Sequence, residues 1–311
     1  MNTPKKYHSI FLIIDNDSTI FYKNFHLLWK TYMKKEDDIL CIFLRMKEDL
    51  TKMEEYDEKE QILYFKGKEE YIPGILYKTI KGIQYVLKNF EFQYLTRTNL
   101  SSFWHFQNYK NTLTKLPTEK LCLGNIGFYP QLNTLFMSGA GITLSKDVVE
   151  ELSKNNRQLN YMLIDDVSIG HLLKKMGYEF IESQRNDIIL DNYDYDLKER
   201  IDGGAFHFRI KNKLDDKRNH FDIEYYYKLI TLTYPNIHIY QEDDEFITSF
   251  YGNQNDWICV NHIMKNIINE KKKVIIDNNL MGKDPIQFVP KKCIIVMKNQ
   301  TIILDEGMIF F

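Results

Sequence analysis

The sequence predicts an α/β protein with a largely parallel sheet, and three observations support this class. Short apolar runs typical of buried strands recur along the first hundred residues. Amphipathic helical patterns lie between these runs, and this alternation is typical of strands joined by crossover helices. The chain has 311 residues, of which 44% are hydrophobic, so it can bury a large core over about two domains of roughly 150 residues each.

Four strands and two helices account for the first hundred residues. The strands are apolar runs bounded by polar turns, and the helices carry apolar residues on one face. The predicted strands are Tyr7–Ile14, Asp38–Leu44, Gln61–Phe65 and Glu91–Thr96, the helices are Phe21–Met33 and Pro73–Asn89, and Asp49–Glu60 is a charged loop. Ligands of such sheets bind beyond the carboxyl ends of the strands. Candidate site residues are therefore expected just after the first strand and just after the Glu91–Thr96 strand.

The middle of the chain combines short strands with two further helices. Ser138-Gly139-Ala140-Gly141 is predicted to form a glycine-containing turn, and Ser145 is a plausible helix N-cap. The predicted strands here are Asn125–Tyr129, Thr134–Met137 and Ile142–Leu144, and the helices are Lys146–Lys154 and Asp166–Met176.

The character of the sequence changes near Tyr234. Five short β-like runs and one helical pattern follow: Ile237–Tyr240, Phe246–Phe250, Val274–Ile276, Cys293–Met297, Thr301–Leu304 and the helix Ile263–Ile268. We therefore predict two domains, an α/β domain over residues 1–233 and a small β-rich domain over residues 234–311.

Composition and charge disfavour several classes of protein. The chain carries 41 Lys and Arg against 43 Asp and Glu, a net charge of −2, so it has no basic excess for binding nucleic acid. Its four cysteines are far apart, which disfavours a disulfide framework or a zinc site. No apolar stretch approaches the ~18 residues of a membrane span. We expect a soluble, cytoplasmic protein; the Lys, Asn and Ile bias fits an AT-rich bacterial or large-virus genome, in the latter case with the host cytoplasm as location.

The first candidate motif is Asp15-Asn16-Asp17-Ser18-Thr19, which follows the first predicted strand. This order resembles the opening motif of the haloacid dehalogenase-like phosphohydrolases. That resemblance implies that Asp15 is a nucleophile and Asp17 a general acid/base, with magnesium as the cofactor. An Asx-rich turn that caps the following helix explains the same residues equally well.

The second candidate spans Phe136 to Gly170. A small-residue segment, Ser138–Gly141, lets a backbone approach a ligand closely, and Asp165-Asp166 follow at the start of a helix. A carboxylate there can accept a hydroxyl proton, although either piece alone is also explained by a packed turn or a helix cap.

These segments together resemble the Fringe and β-1,3-galactosyltransferase group of GT-A glycosyltransferases over residues 7–225. The family has a block of the type SGxGYVLSRD followed by one of the type EDVxxG. Segments Glu69–Thr79 and Tyr94–Phe103 are similar to two further family blocks, and Gly203–Arg209 lies where the family has a late histidine. The resemblance implies a Rossmann-like GT-A domain that transfers a sugar from a nucleotide sugar, with UDP as the expected nucleotide, to a glycan hydroxyl with inversion.

The resemblance also implies roles for individual residues. Asp166 or Asp165 would act as the catalytic base, and Ser138, Gly139, Ala140 and Gly141 would border the acceptor. The donor-binding candidates are Asp15, Asp17, Lys78, Arg97, Asn99, Ser101, His207 and Arg209.

One departure from the family concerns the metal. The DxD motif that holds Mn²⁺ in the family is Asn99-Leu100-Ser101 here, so two carboxylates become an amide and a hydroxyl. Three interpretations stay open. The enzyme is metal-independent and uses Lys78, Arg97 or Arg209 on the leaving group; it binds Mn²⁺ or Mg²⁺ weakly through His207; or the fold is a non-catalytic sugar-nucleotide or glycan-binding protein.

The segment from about residue 245 to 311 resembles a small β-rich module with a YG...WxDVT...N...GxDP pattern. The resemblance implies no chemistry of its own. Tyr251 and Trp257 would serve acceptor recognition or homodimer formation, or else lie in the core of a small sheet, which we favour for Trp257.

Overall fold

The structure is a computed structural model, and it describes residues 6–189, 196–211, 220–234, 246–253, 256–297 and 301–310. The elements up to residue 210 are β1 (Lys6–Ile14), α1 (Ile20–Tyr32), β2 (Ile39–Lys47), β3 (Glu54–Asp57), β4 (Ile62–Lys66), α2 (Gly74–Asn89), β5 (Glu91–Asn99), β6 (Ser102–Trp104), α3 (Phe106–Leu113), β7 (Cys122–Tyr129), β8 (Thr134–Ser145), α4 (Lys146–Lys154), α5 (Asp165–Lys175), β9 (Ile181–Glu182), β10 (Asn186–Ile188), α6 (Leu197–Asp202) and β11 (His207–Ile210).

The elements after residue 210 are shorter and mostly strands. They are α7 (His220–Thr233), β12 (Phe246–Asn253), β13 (Asp256–Cys259), α8 (Asn261–Glu270), β14 (Val274–Ile275), α9 (Asn278–Met281), β15 (Lys292–Met297), β16 (Thr301–Asp305) and β17 (Ile309–Phe310).

The central sheet has eight strands in the order β3-β4-β2-β1-β5-β8-β7-β9. Strands β4, β2, β1, β5, β7 and β9 run in one direction, whereas β3 and β8 are antiparallel to their neighbours. The largely parallel α/β class is therefore confirmed, and it is consistent with the predicted GT-A-like domain followed by a β-rich part. Strand β1 lies between β2 and β5, near the centre of this sheet. Nearly all its side chains are therefore buried, which fits its β-branched and aromatic residues.

Helices α2, α4 and α5 contribute apolar side chains to one continuous core with the sheet. From α2 this core takes Leu76, Ile80, Ile83 and Val86, which recur at helical spacing. Pro73 precedes the first residue of α2, as the sequence predicted for a helix start. This packing fixes α2 against the sheet and so determines where Lys78 lies.

The predicted turn at Ser138–Gly141 is wrong. These four residues lie inside β8, which runs without interruption from Thr134 to Ser145. Gly139 and Gly141 are small because side chains from neighbouring elements approach the strand there, and not because the chain reverses. The charged segment predicted as a loop also contains a short edge strand, β3, which pairs with β4.

Ser145 is the N-cap residue of α4, as predicted, but its side chain does not cap the helix. The hydroxyl of Ser145 makes no capping bond to α4 and instead accepts a hydrogen bond from the Leu121 amide at 2.9 Å.

A small antiparallel sheet has the order β10-β11-β6. Its register places His207 opposite Trp104 and Arg209 opposite Ser102. Because side chains two residues apart share one face of a strand, His207 and Arg209 point to the same side. The sheet thus brings a late segment of the chain next to the residues that follow β5.

The described residues cluster into two compact units. The first lies within Met1–Asp17, Met33–Asp187 and Asp196–Arg209, and the second within Ser18–Tyr32, Ile188–Tyr195 and Ile210–Phe311. The predicted boundary at residue 234 stays a prediction, and the predicted strand Ile237–Tyr240 lies outside the described residues.

The second unit contains a four-stranded antiparallel sheet of order β13-β12-β15-β16 and a two-stranded ribbon, β14-β17. Tyr251 is fully buried in its core, and its hydroxyl donates to Asn278 Oδ1 at 3.0 Å, while Trp257 is half-buried. The core interpretation thus holds for Tyr251, and dimer formation stays a prediction. Among the helices that the structure describes, none is long and apolar enough to cross a membrane.

Candidate active site

The carboxyl ends of β1, β2 and β5 meet at one edge of the central sheet. Ile14, the last residue of β1, is in register with Leu44 of β2 and with Asn99 of β5. Asp15 follows directly, and its amide donates to the Leu44 carbonyl at 3.1 Å. Strand register therefore brings the Asp15 region and the Asn99 region together, as the parallel topology predicted.

Asp15 is an anchored, buried carboxylate. Its side chain has no exposed surface, and its Oδ2 accepts from Arg45 Nε at 3.0 Å and from Arg45 Nη2 at 2.5 Å. Asp17 is 60% exposed and contacts the same guanidinium at 3.4 Å. Arg45 was not predicted as a site residue. A nucleophilic carboxylate has to reach its substrate, so the burial of Asp15 disfavours the phosphohydrolase hypothesis.

The ammonium group of Lys78 is buried and forms hydrogen bonds with other groups of the protein. The side chain is 1% exposed, and Nζ donates to the Asp15 carbonyl at 2.7 Å and to the two Glu69 carboxylate oxygens at 2.9 and 2.7 Å. Glu69 also accepts from the Met46 amide at 2.7 Å. Burial lowers the pKa of Lys78, and the Glu69 carboxylate opposes that shift. Since an ammonium has three protons, these bonds occupy all of them.

Arg97 and Asp165 form a buried ion pair. Arg97 Nη2 lies 2.6 Å from Asp165 Oδ2, and the two side chains are 4% and 8% exposed. Arg97 comes from β5 and Asp165 from the first turn of α5, so the pair links the sheet to the helix. The carboxylate of Asp165 is thereby paired with the guanidinium of Arg97, which distinguishes it from its neighbour Asp166.

Asp166 is the half-buried carboxylate of the pair. Its Oδ2 accepts from the Gly139 amide at 2.8 Å and its Oδ1 from the Val167 amide at 2.9 Å. Burial raises the pKa of Asp166, and the negative charge of Asp165 raises it further, whereas the two amides and Arg97 oppose the shift. A carboxylate whose pKa is raised is a stronger proton acceptor once ionised, as a general base requires.

Tyr71 lies beside this acidic pair and was not predicted as a site residue. Its side chain is 68% exposed, and both Asp166 and Asp165 act electrostatically on its hydroxyl. Burial of the hydroxyl and these two carboxylates raise its pKa, so the phenol stays protonated at neutral pH. Tyr71 is thus an exposed residue within electrostatic range of Asp166, which is itself partly exposed.

Position 139 requires glycine because two charged side chains lie close to its α-carbon. A β-carbon at this position would lie 2.7 Å from Arg97 Nη1 and 3.2 Å from Asp166 Oδ2. Only glycine leaves room for both groups and still offers its amide to Asp166.

Guanidinium groups contact the two polar residues that stand at the position of the family's DxD motif. Asn99 Oδ1 accepts from Arg97 Nη1 at 2.8 Å, and Ser101 Oγ accepts from Arg209 Nη1. Divalent cations such as Mn²⁺ and Mg²⁺ favour anionic oxygen ligands. Here the two side-chain oxygens are neutral and face positive charges, so they do not fit a divalent cation. Among the residues that the structure describes, no three or more His, Cys, Asp or Glu side chains form a group that could hold a metal ion.

His207 is stacked flat on Trp104, with ring centroids 4.2 Å apart and an interplanar angle of 12°. The imidazole is 2% exposed, and its Nε2 has no hydrogen-bond partner among the described residues. Burial lowers the pKa of His207 well below its usual value, and Arg185 and Arg209 lower it further, so the ring is neutral at pH 7. A β-carbon at Gly141 would lie 2.5 Å from this ring, which explains the glycine.

Arg185 is a third site residue, after Arg45 and Tyr71, that was not predicted from the sequence. Its Nη1 donates to Ser138 Oγ at 2.8 Å, and its Nε and Nη2 contact Asp187 at 2.5 and 2.7 Å. It also acts electrostatically on His207. Arg185 thus joins Ser138, a predicted acceptor residue, to the surroundings of His207.

The other predicted acceptor residues are buried in β8. Gly139, Ala140 and Gly141 have little exposed surface, and the Ala140 carbonyl accepts from the hydroxyls of Thr98 and Ser102 at 2.7 and 3.1 Å. Ser138 alone of the four is partly exposed. Their role at an acceptor stays a prediction.

Two adjoining cavities lie beside this constellation. Their volumes are about 270 and 410 Å³, and both are lined by Gln184, Asn186, Gly203 and Ala205. The predicted catalytic and donor-binding residues do not line them. Neither of these two cavities is therefore the candidate site, which is defined by its charged contacts at the sheet edge.

The fold and the site define an α/β protein with paired carboxylates and arginines at the carboxyl edge of its central sheet. No protein-family model matches the sequence, and no curated protein matches it. Among solved structures, the chain is similar to one described as the crystal structure of a glycosyltransferase involved in the glycosylation of the major capsid of PBCV-1, with 10% identity and a TM-score of 0.42. The match covers 71% of this chain and 98% of that chain.

Proposed function

We propose that this protein is a glycosyltransferase that moves a sugar from a nucleotide sugar, with UDP as the nucleotide, to a hydroxyl group of a glycan, with inversion at the anomeric carbon. The observation that carries the proposal is the Asp166 carboxylate. It is only half-buried, has a raised pKa and is held by the Gly139 amide, and the exposed Tyr71 lies within electrostatic range of it. The sequence resemblance to the Fringe group supports a base at this position.

In the proposed reaction, Asp166 accepts the proton of the acceptor hydroxyl. The hydroxyl oxygen forms the new bond to the anomeric carbon as the bond from that carbon to the diphosphate oxygen breaks. The electron pair of the broken bond leaves with the nucleoside diphosphate. Attack from the face opposite the leaving group inverts the anomeric configuration. A positioned base of this type contributes about 10²–10⁴-fold to the rate.

The neighbouring ion pairs position this base. The Arg97–Asp165 pair fixes the first turn of α5, and the Gly139 amide holds the Asp166 carboxylate at 2.8 Å. Holding reactants in one orientation lowers the barrier because less freedom is lost in the transition state. Within the proposal, Asp165 is a positioning residue and Asp166 is the catalytic residue.

Thermal unfolding in the presence of nucleotides tests the proposal. A ligand at a hundredfold its Kd adds about 2.7 kcal/mol of apparent stability. We expect UDP or one UDP-sugar to raise the Tm and the same UDP-sugar to release UDP in an enzymatic assay. Stabilisation by Mg²⁺ with vanadate, without any nucleotide effect, would support the phosphohydrolase instead. Stabilisation by a UDP-sugar that is never turned over would indicate a non-catalytic binding protein.

A further inference from the structure

We infer that the two adjoining cavities beside β9 and β10 form one binding site for a neutral saccharide, separate from the candidate active site. Their volumes are about 270 and 410 Å³, and together they fall within the roughly 300–1,000 Å³ of typical small-molecule sites. Every residue that lines them belongs to the first compact unit. That the saccharide is part of the acceptor glycan rests on the proposed function.

Three polar side chains of the lining have unused hydrogen-bonding groups. Ser183 and Asn186 are 7% and 5% exposed, and Gln184 lies between them at the surface. Among the residues that the structure describes, neither the Ser183 hydroxyl nor the Gln184 amide has a hydrogen-bond partner. The Asn186 amide nitrogen uses one of its two N–H groups, in a bond of 3.4 Å to the His207 carbonyl. A ligand with several hydroxyl groups can satisfy all three side chains at once.

The rest of the lining gives the site an apolar side. Leu116, Leu123 and Phe206 contribute to it. The Phe206 ring is held by Trp104 and Tyr109, with ring centroids 5.8 and 5.9 Å apart. A sugar ring matches such a surface because its hydroxyls lie around the ring edge and its C–H groups lie on the ring faces. A bound sugar therefore satisfies the polar groups and also removes apolar surface from water.

The charged residues of the lining disfavour an anionic ligand. The described lining has two carboxylates, those of Glu182 and Glu199, and one guanidinium, that of Arg200. Arg200 Nη1 donates to Asn186 Oδ1 at 2.8 Å, so this cation orients the amide of the site. A phosphate or a nucleoside diphosphate would meet a net negative charge here, whereas a neutral saccharide is not repelled.

Hydrogen bonds between different elements hold the walls of the site in place. On α3, Asn108 Nδ2 donates to the carbonyls of Ile201 and Ala205 at 2.8 and 2.9 Å. The Ser183 amide donates to the Gly124 carbonyl at 2.9 Å and so ties the end of β9 to β7. A site whose walls are already fixed loses little conformational freedom when a ligand binds.

One segment of the chain borders the cavities and also contacts strand β8. Arg185 directly precedes Asn186, and its Nη1 donates to Ser138 Oγ at 2.8 Å. The residue after Ser138 is Gly139, whose amide holds the Asp166 carboxylate. A glycan acceptor extends beyond the hydroxyl that reacts. The saccharide in the cavities is then a further unit of the acceptor whose reacting hydroxyl lies at Asp166.

Methyl-selective NMR of the full chain tests the inference, because four residues with methyl groups line the cavities: Leu116, Leu123, Ile181 and Ala205. The probes are the methyl glycosides of glucose, galactose, mannose and N-acetylglucosamine. We expect at least one of them to shift these methyl signals in a saturable way. The methyl signals of Val149 and Leu152, which lie in the main core, should not move. Inorganic phosphate should leave all of these signals unchanged.

Two variants and a matched control locate the binding. Ala205→Phe fills part of both cavities and should weaken the Kd of the responding glycoside by more than about tenfold. Gln184→Ala removes an exposed amide without a partner among the described residues, so it should weaken binding about 3- to 10-fold and leave the Tm unchanged. Gln107→Ala, at an exposed glutamine of α3 outside the lining, should leave the Kd unchanged.

The outcomes separate this inference from the proposed function. Lining methyl signals that respond to no glycoside, that respond to inorganic phosphate alone, or that respond as in wild type in both variants would overturn the inference. If Ala205→Phe does not fold, Gln184→Ala decides. A glycoside response in a protein that neither binds UDP nor turns over a UDP-sugar would support the saccharide site and contradict the proposed function. Turnover of a UDP-sugar with an unresponsive lining would contradict the inference alone.

Discussion

Replacing Arg97 by Met should destabilise the protein strongly, because it leaves Asp165 as an unpaired buried carboxylate. The two side chains are 4% and 8% exposed and lie 2.6 Å apart. Removing one partner of such a pair costs about 3–5 kcal/mol, mainly because the remaining charge stays desolvated. Arg97 also donates to Asn99 at 2.8 Å, and that bond is lost as well. The expected loss therefore lies in this range and not near the ~1 kcal/mol of an exposed pair.

Urea unfolding followed by circular dichroism measures this loss. With a slope of about 2–3 kcal/mol per molar urea, the midpoint should fall by roughly 1–2 M at pH 7. Asp165→Asn in the Arg97→Met background should restore part of the stability, because it removes the buried charge. Lys154→Met, which breaks the exposed contact to Glu151 at 3.3 Å, is the control and should cost about 0.5 kcal/mol or less. A loss below about 1 kcal/mol at pH 7 would refute the buried ion pair between Arg97 and Asp165 as the anchor of α5.

Three further predictions concern the same site. Gly141→Ala should lower the free energy of unfolding by about 1–3 kcal/mol, because its β-carbon would lie 2.5 Å from the His207 ring; an unchanged Tm would contradict the stacked arrangement. Lys78→Met should cost about 2–3 kcal/mol, because it leaves the Glu69 carboxylate without its ammonium; urea unfolding measures this, and a loss under 0.5 kcal/mol would contradict it. The rate of UDP release should fall with decreasing pH through the raised pKa of Asp166. In Asp165→Asn the acid limb should move to lower pH, and an unmoved limb would exclude electrostatic coupling within the pair.

Much of the first hundred residues could be predicted from sequence, because hydrophobic periodicity there has local causes. β1, β2, β4, α2 and β5 lie within three residues of their predicted ends. The segment from Ser138 to Gly141 was predicted as a turn because glycine usually marks one. Here glycine is required because side chains from other elements lie too close for a β-carbon, and a single sequence does not reveal those neighbours.

The candidate site shows the same limit. Asp165 and Asp166 were predicted as a pair, but their different roles depend on Arg97 and Gly139, which lie far away in the sequence. Arg45 and Arg185 were missed because no motif contains them. Arginine is rare in this chain, with seven against 34 lysines, but rarity marks all seven arginines equally and does not single out these two.

The most direct test of the central claim is UDP release from the stabilising UDP-sugar by wild type, Asp166→Asn and Asp165→Asn. The exchange at Asp166 removes the proposed base and keeps nearly the same shape. We predict that Asp166→Asn binds UDP within threefold of the wild-type Kd and loses turnover by at least a hundredfold. An Asp166→Asn variant that turns over within tenfold of wild type, while it folds and binds UDP normally, would contradict Asp166 as the catalytic base.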